Sequence, residues 1–266
     1  MRRIPPHLIA GLVREALDED IGPGDITTDS CVPDGLRSRA TIEARQDLAV
    51  AGIAAAIECF RQLDPGLRVL HAASDGDALS RGGRLLVVTG MARALLSAER
   101  TALNFLAHLS GVATLTRRCV EAVGSHHAVV ADTRKTTPAL RLLEKQAVLA
   151  GGGTNHRAGL WDAVLIKDNH IDLAGGVRAA VERVREATRG EIPIETEVRS
   201  LGELDEALAA RADAVLLDNF APDDMKSAVE RARGRALVEV SGGVRLETIP
   251  GIAALGVDRI SIGALT

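Results

Sequence analysis

The stretch Ala163-Val-Leu-Ile-Lys-Asp-Asn-His170 consists of four apolar residues followed by four polar or charged ones. A short apolar run that ends in charge is typical of a buried strand whose carboxyl end reaches solvent. The pattern recurs along the second half of the chain and predicts strands at residues 127–131, 163–166, 192–196, 214–217, 237–240 and 259–262. Helical patterns separate these strands, so we expect parallel βα units. Six units without a dinucleotide-binding glycine fingerprint favour an α/β barrel over a doubly wound sheet.

Several helix ends in this half are marked by capping residues. Thr137 and Pro138 predict the N-cap and first residue of a helix that ends at Gly151. Ser200 and Glu203 have the spacing of a capping box, in which each residue satisfies a backbone N–H of the first turn. A further helix is expected to open at Pro222-Asp-Asp.

The first part of the chain has a different pattern of predicted strands and helices. It predicts strands at residues 40–45, 67–71 and 85–90 and a short helix at 54–63, separated by glycine-containing turns. This is the pattern of a small α+β unit with an antiparallel sheet. Two helices are expected next, one over residues 98–109 capped by Ser97 and one over 112–123. We place the domain boundary between residues 1–110 and 111–266.

Composition excludes several classes of function. The 266 residues carry a net charge of −4 and contain three Phe, one Trp and no Tyr. Neither a general attraction to nucleic acid nor stacking of bases on aromatic side chains is therefore expected. Three widely spaced cysteines without a CxxC pair argue against a disulfide framework or a structural zinc site. The start Met1-Arg-Arg-Ile-Pro-Pro6 lacks the apolar core of a signal peptide, so we expect a soluble, cytoplasmic protein without membrane or nucleic-acid partners.

Charged or small residues follow every predicted strand. They are Asp132-Thr133-Arg134-Lys135, Lys167-Asp168-Asn169-His170, Glu197, Asp218-Asn219, Ser241-Gly242-Gly243, and Ser261 with Gly263. In a parallel barrel these positions converge on one face, which is where barrel enzymes build their active sites. A single such residue would be an ordinary surface charge, but their presence at all six strand ends indicates a site.

The cations of this set indicate a polyanionic ligand. Arg134, Lys135 and Lys167 follow strands, and His156-Arg157 lies in the loop before the second strand. Arginine binds planar carboxylates with two parallel hydrogen bonds, whereas lysine acts as a point charge on phosphates.

The remaining strand ends carry acids and glycines. Glu197 and Asp218 are suited to hold Mg²⁺, which takes one or two carboxylates together with phosphate oxygens. The alternative is an acidic rim that balances the nearby lysines. Ser241-Gly242-Gly243 and Gly263 leave backbone N–H groups accessible, as late-strand phosphate sites in barrels do.

Three long motifs carry a family resemblance. Asp132-Thr-Arg-Lys-Thr-Thr-Pro138, Gly151-Gly-Gly-Thr-Asn-His-Arg-Ala-Gly-Leu160 and Leu165-Ile-Lys-Asp-Asn-His170 resemble those of the quinolinate phosphoribosyltransferases. Gly24-Asp-Ile-Thr-Thr28, Glu99-Arg-Thr-Ala-Leu-Asn104, Glu195-Thr-Glu197 and Ser241-Gly-Gly243 match in the same order. The resemblance covers nearly the whole chain. It implies an N-terminal α/β sandwich followed by an incomplete α/β barrel.

The resemblance also implies a reaction and a site. Quinolinate and phosphoribosyl pyrophosphate would give nicotinate mononucleotide, pyrophosphate and CO₂ in NAD synthesis, with Mg²⁺ as cofactor. A homodimer is implied, in which Arg100 reaches the partner's site. Quinolinate would be bound by Arg134, His156, Arg157, Lys167 and that Arg100. Lys135 would approach the pyrophosphate or the ring, Glu197 and Asp218 the Mg²⁺–diphosphate and ribose, and Ser241, Gly242, Gly243 and Gly263 the 5′-phosphate. We count Lys135, Lys167, Glu197 and Asp218 as catalytic, and Thr133 and Ser261 among the binding residues.

The sequence departs from the family pattern in a few places. Ala139 stands where the family has Gly, and Gln146 and Leu149 replace an aromatic residue and an Arg; we expect the helix to tolerate all three. The family usually continues past Gly263-Ala-Leu-Thr266 with a His-Ser pair and a final strand.

Three alternatives remain open at this point. One is the related phosphoribosyltransferase of molybdenum-transport operons, against which the intact Asp132-Thr-Arg-Lys135 and Lys167-Asp-Asn-His170 argue. Another is a Schiff-base aldolase with Lys167 as nucleophile, which would leave the paired acids unexplained. The last is an anion-binding module without catalysis.

Overall fold

The computed structural model describes residues 4–266; the basic start Met1-Arg2-Arg3, part of the segment predicted not to be a signal peptide, lies outside the described residues. Two compact units make up this part of the chain. The first comprises the residues up to Arg117 together with Thr136–Gly152, and the second comprises Arg118–Lys135 and Gly153–Thr266. No helix within residues 4–266 is long and apolar enough to cross a bilayer.

The first unit contains an antiparallel sheet and helices. Its elements are α1 (Pro6–Ile21), α2 (Ile26–Cys31), β1 (Arg37–Glu43), β2 (Leu48–Ala49), α3 (Ile53–Leu63), β3 (Arg68–Ala72), β4 (Ala78–Leu79), β5 (Arg84–Met91), α4 (Ala92–Val123, whose last turns belong to the second unit) and α5 (Arg141–Ala150). The main sheet has the order β1-β5-β3, and β2 pairs with β4. Both pairings of β5 are antiparallel, which confirms the predicted sheet. The helix α1 was not predicted.

The prediction of two helices over residues 98–109 and 112–123 is wrong, because α4 is continuous from Ala92 to Val123. Gly111 is exposed and costs the helix only about 1 kcal/mol relative to alanine, which the packing of the apolar face outweighs. Ser97 is therefore inside the helix and is not its cap. Its hydroxyl donates a hydrogen bond to Oδ2 of Asp25 at 2.9 Å.

The helix predicted to begin at Thr137 and Pro138 begins later, at Arg141. Ala139 precedes it with φ of 67°, a left-handed conformation that ends any regular helix at this point. The expectation that Ala139 lies in the helix is therefore wrong. The helix ends at Gly151 as predicted, and a Cβ there would lie 2.4 Å from the carbonyl oxygen of Ala113, so only glycine allows this approach to α4.

The second unit consists of six parallel strands with helices between them. Its elements are β6 (Val129–Ala131), β7 (Val164–Ile166), α6 (Asp168–Ala174), α7 (Val177–Ala187), β8 (Ile194–Val198), α8 (Leu201–Ala209), β9 (Ala214–Asp218), α9 (Pro222–Ala232), β10 (Leu237–Ser241), α10 (Ile249–Ala254) and β11 (Arg259–Ser261). The sheet order is β6-β11-β10-β9-β8-β7, and every pairing is parallel. The predicted α/β class, an antiparallel unit followed by an incomplete barrel of six parallel strands, is confirmed.

The helix starts of this unit follow the sequence closely. The hydroxyl of Ser200 accepts from the N–H of Glu203, and Pro222 is the first residue of α9, both as predicted. The carboxylate of Glu203 accepts from the N–H of Arg199 and not from Ser200, so the capping box is offset by one residue.

The chain after α5 reaches the strand ends along β6. Thr154 forms a parallel bridge with Ala131, and its N–H donates to the carbonyl of Val130 at 2.8 Å. This pairing extends the edge of the sheet and delivers the next residues, His156 and Arg157, to the carboxyl ends of the strands.

Candidate active site

A cavity of about 480 Å³ opens at the carboxyl ends of the parallel strands. Its lining consists of Thr133, Arg134, Lys135, His156, Arg157, Leu165, Lys167, Glu197, Leu216, Asp218, Asn219, Glu239, Ser241, Gly242, Gly243 and Ser261. All site residues predicted from the sequence belong to this set except Arg100 and Gly263. The structure thus brings the strand-end chemistry into one cavity, as the barrel topology requires.

The two exceptions have different positions. A Cβ on Gly263 would lie 3.1 Å from Cδ of Lys135, so this glycine borders a residue of the lining. Arg100 is an exposed residue of α4 in the first unit and lines another cavity there.

Arg134 and Arg157 give the cavity its positive charge. Nε of Arg157 is buried and has no hydrogen-bond partner among the described residues. Burial and the adjacent charge of Arg134 lower the pKa of the Arg157 guanidinium. Two cations held this close repel each other, and an anion bound between them relieves that repulsion.

The backbone around His156 is fixed by two further hydrogen bonds. Its N–H donates to Oδ1 of the buried Asp132 at 2.8 Å, which ties the loop to the end of β6. The N–H of Arg157 donates to Nδ1 of the His156 ring at 2.7 Å. Nδ1 is therefore an acceptor, and the neutral ring carries its proton on Nε2. The Arg157 guanidinium extends from a backbone that cannot shift freely.

Lys167 and the acidic residues form the opposite part of the lining. Nζ of Lys167 donates to Oε2 of Glu197 at 2.8 Å, joining the ends of β7 and β8. Oδ2 of Asp218 accepts from Nδ2 of Asn219 at 3.0 Å. Both acids thus keep one oxygen engaged by the protein and offer the other to a ligand or cation.

The glycines at the end of β10 adopt conformations that other residues avoid. Gly242 and Gly243 have φ of 89° and 60°. A Cβ on Gly242 would lie 2.3 Å from Oδ1 of Asn219. The turn therefore requires glycine, which leaves backbone N–H groups uncovered beside the cavity.

A second layer of charged residues lies deeper in the barrel, two residues before the rim residues along each strand. Side chains two positions apart on a strand share a face, and this period places Glu195 below Glu197, Glu239 below Ser241 and Arg259 below Ser261. Glu239 belongs to the cavity lining. We call Glu195, Glu239 and Arg259 the inner layer. Sequence reasoning missed the role of the inner layer because Glu195 and Glu239 lie within predicted strands and Arg259 begins one, although the period-two spacing from the rim residues could have revealed it.

The inner layer contacts His156. Nε2 of His156 lies 2.9 Å from Oε2 of Glu195 and 3.6 Å from Oε2 of Glu239. Nη1 of Arg259 lies 2.8 Å from Oε2 of Glu239 and 3.6 Å from Oε1 of Glu195. The two carboxylates are thus held between one imidazole and one guanidinium.

The two acids of the inner layer have opposite pKa shifts. Burial is the largest single influence on the pKa of Glu195 and opposes its ionisation, but the contacts with His156, Glu239 and Arg259 together outweigh burial and lower that pKa. Burial and the charge of Glu195 raise the pKa of Glu239 to about 7. Two adjacent carboxyl groups ionise at different pH values when the first charge disfavours the second.

His156, Glu195 and Glu239 also have the composition of a metal site, and their ligand atoms lie within 4.8 Å of one another. Arg259 already supplies positive charge at this position, because its Nη1 is within hydrogen-bond distance of Glu239. The positive charge that a metal ion would bring to these two carboxylates is therefore already supplied by the protein.

Two family models match the chain and together cover most of it. The model of the quinolinate phosphoribosyl transferase C-terminal domain matches residues 112–266, and the model of the N-terminal domain matches residues 25–110.

Similar proteins include curated relatives and solved structures. A nicotinate-nucleotide pyrophosphorylase (carboxylating) of Mycobacterium leprae is 45% identical over 260 residues, covering 96% of this chain and 91% of the relative. A probable enzyme of that name from Bacillus subtilis is 42% identical, covering 93% and 86%. The structure of the nicotinate-nucleotide pyrophosphorylase from Francisella tularensis has a TM-score of 0.94 at 42% identity. The match covers 99% of this chain and 93% of the Francisella chain.

Proposed function

Because this chain belongs to the quinolinate phosphoribosyltransferase family, we propose that its strand-end cavity binds quinolinate and phosphoribosyl pyrophosphate. The enzyme transfers the phosphoribosyl group to the ring nitrogen of quinolinate and removes one carboxylate. The products are nicotinate mononucleotide, pyrophosphate and CO₂, so the reaction belongs to NAD synthesis. The observation that carries this assignment is the buried, unpartnered Nε of Arg157 beside Arg134 in a cavity lined by acids and glycines.

Quinolinate has two adjacent carboxylates, and the cationic part of the lining suits them. Arg134 and Arg157 bind the carboxylates by charge-assisted hydrogen bonds, and Lys167 adds a third cation. His156 also lines the cavity. Binding fixes the ring nitrogen toward the sugar, which replaces a bimolecular encounter by a positioned one.

The transfer breaks the bond between the anomeric carbon and pyrophosphate, and the ring nitrogen forms the new bond. The sugar becomes cation-like as pyrophosphate leaves, so the site must stabilise the departing anion. We assign this task to Lys135, an exposed residue of the lining whose backbone N–H is tied to Oγ1 of Thr133 at 3.0 Å. Loss of CO₂ then leaves an electron pair on the adjacent carbon. The positive ring nitrogen stabilises that pair until a proton replaces the carboxylate.

Mg²⁺ fits the acidic part of the cavity. Glu197 and Asp218 lie at the ends of the neighbouring strands β8 and β9. Lys167 donates to only one oxygen of Glu197, and Asn219 donates to only one oxygen of Asp218. Carboxylate oxygens together with diphosphate oxygens form the ligand set that Mg²⁺ prefers. When bound, the ion neutralises the diphosphate, and these two residues orient the ribose and the leaving group.

The 5′-phosphate of the sugar is assigned to the glycine-rich side. Ser241, Gly242, Gly243, Ser261 and Gly263 offer hydroxyl and backbone N–H donors without bulky side chains. Such donors bind phosphate without requiring a positive side chain.

A homodimer with a shared site is part of this proposal. Arg100 does not belong to the cavity lining and is exposed on α4, which is consistent with a role in the site of a partner subunit. A cytoplasmic location is also proposed, since Cys31, Cys59 and Cys119 are all free thiols, as is usual in a reducing compartment.

The test is product formation from carboxyl-labelled quinolinate with phosphoribosyl pyrophosphate and Mg²⁺. We expect labelled CO₂ and nicotinate mononucleotide in equal amounts, and far slower turnover of nicotinate, which lacks the second carboxylate. A protein that binds both substrates but releases neither product would be an anion-binding module, and the proposal would be wrong.

A further inference from the structure

We propose that His156 is a positioning residue for Arg157, oriented by Glu195 and the rest of the inner layer, and not a direct ligand of the substrate carboxylates. For the identity of the ligand, this inference rests on the proposed function. It concerns how the cationic wall of the cavity acquires its geometry.

The first step is the state of the imidazole. Nδ1 of His156 accepts the N–H of Arg157 at 2.7 Å, and a backbone N–H is always a donor. Nδ1 therefore carries no proton. Nε2 carries it and donates to Oε2 of Glu195 at 2.9 Å. Both ring nitrogens are thus committed to the protein in a neutral tautomer.

The second step is the surroundings of the ring. The side chain of His156 is only 9% exposed, and Glu195 is equally enclosed. A carboxylate of the substrate would have to replace Glu195 at Nε2, which would leave a buried acid without this donor. Such a loss is unfavourable, because a buried charge without its hydrogen bonds pays its full desolvation cost.

The third step is what holds Glu195 itself. Nη1 of Arg259 lies 3.6 Å from Oε1 of Glu195 and 2.8 Å from Oε2 of Glu239, so a single guanidinium steadies both acids. Glu239 in turn lies 3.6 Å from the imidazole. The inner layer is therefore a support for the ring, built from β8, β10 and β11.

The consequence reaches the substrate through Arg157. The ring of His156 fixes the N–H of Arg157, and Asp132 fixes the N–H of His156 at 2.8 Å. These bonds set the direction in which the Arg157 side chain leaves the backbone, and its buried Nε is oriented with it. Supporting residues that fix a binding group preserve affinity without touching the ligand.

The direct test is ¹⁵N NMR of the imidazole in the full-length enzyme, with the His156 signals assigned by comparison with His156→Asn. In the ligand-free protein we expect an unprotonated Nδ1 and a protonated Nε2, and the same tautomer and nearly the same Nε2 shift with quinolinate bound. A doubly protonated ring, or a large change at Nε2 on adding quinolinate, would show direct contact and overturn the inference. The ligand-free spectrum tests the tautomer even if quinolinate proves not to bind, so the two proposals fail separately.

The second test separates an effect on quinolinate binding from an effect on turnover. Glu195→Ala is expected to weaken quinolinate binding in calorimetry about tenfold, the size of one lost charge-assisted hydrogen bond, while kcat at saturating quinolinate changes less than about threefold. Glu195→Gln keeps an acceptor for Nε2 and should bind within about threefold of the wild type; it also serves if Glu195→Ala does not fold. The exposed Glu230→Gln on α9 is the control. Unchanged affinity in Glu195→Ala, or a loss confined to kcat, would contradict a positioning role.

Discussion

Nζ of Lys167 lies 2.8 Å from Oε2 of Glu197, and this ion pair joins the ends of β7 and β8 at the edge of the cavity. Glu197 is nearly enclosed, with 9% of its side chain exposed, whereas Lys167 is half-exposed. A carboxylate partner stabilises the charged form of an amine, and the charged form lacks the free electron pair that Schiff-base formation needs.

We therefore expect no covalent adduct on Lys167 when the enzyme is treated with borohydride and a keto acid. Mass spectrometry of the peptide that contains this residue gives the measurement. Lys226, an exposed lysine of α9, supplies the background level of labelling. Trapping on Lys167 well above that level would favour the aldolase alternative.

A second prediction concerns stability. Ala139 has φ of 67°, where the side chain of an L-residue is strained and glycine is not. Ala139→Gly should raise the free energy of unfolding by about 1 kcal/mol, after allowing for the greater freedom of glycine in the unfolded chain. Urea denaturation measures this change. The control is Ala107→Gly at an exposed position inside α4, which should lower stability by about 0.5–1 kcal/mol. A loss of stability in both variants would mean that residue 139 is not left-handed.

The raised pKa of Glu239 leads to a third prediction. In the folded protein this carboxyl keeps its proton up to a pH of about 7, whereas its ordinary pKa is 4.5. The folded state therefore binds more protons in this window, and the contribution of Glu239 to stability falls as pH rises from 4.5 toward 7. Glu239→Gln should remove that fall, so the variant gains stability relative to the wild type as pH increases. Denaturant titrations across the window measure the difference; a constant difference would contradict the raised pKa.

A fourth prediction follows from the proposed shared site. Arg100→Ala and Lys135→Ala should each be nearly inactive as pure proteins. After the two are unfolded and refolded together, half of the dimers are hybrids with one intact site, which restores about a quarter of wild-type activity. Refolding each variant alone is the control. Absence of recovery in mixed dimers, shown to form by native mass spectrometry, would exclude Arg100 from the partner's site.

Much of the fold could be predicted because its strands are short apolar runs with charged ends. All six parallel strands were located to within about two residues, since the hydrophobic periodicity and the polarity of the residues both change at each strand end. The continuity of α4 could not be predicted from Gly111, because the cost of one glycine is small beside the packing of 32 residues. The start of α5 was missed for a related reason: the left-handed Ala139 is a tertiary constraint that Thr137 and Pro138 do not reveal.

The candidate site was predicted at its rim and missed in its interior. Residues such as Arg134 and Lys167 stand out because they end apolar runs, and the topology gathers them. Glu239 lies within β10 and Arg259 begins β11, and their pairing depends on the sheet order, in which β11 lies beside β10. The tautomer of His156 depends on a contact with its own neighbour in the chain, which only coordinates reveal.

The most direct test of the central claim is kcat/KM for quinolinate, with phosphoribosyl pyrophosphate and Mg²⁺, in the wild type and in matched arginine and lysine variants. Arg157→Ala and Lys135→Ala should each lose at least about 100-fold, the equivalent of roughly 3 kcal/mol of transition-state stabilisation, without a change in thermal unfolding. Arg233→Ala, in a separate cavity beside the start of β10, should remain near the wild type. Near-wild-type values for Arg157→Ala or Lys135→Ala would contradict the assignment of this cavity as the site of phosphoribosyl transfer.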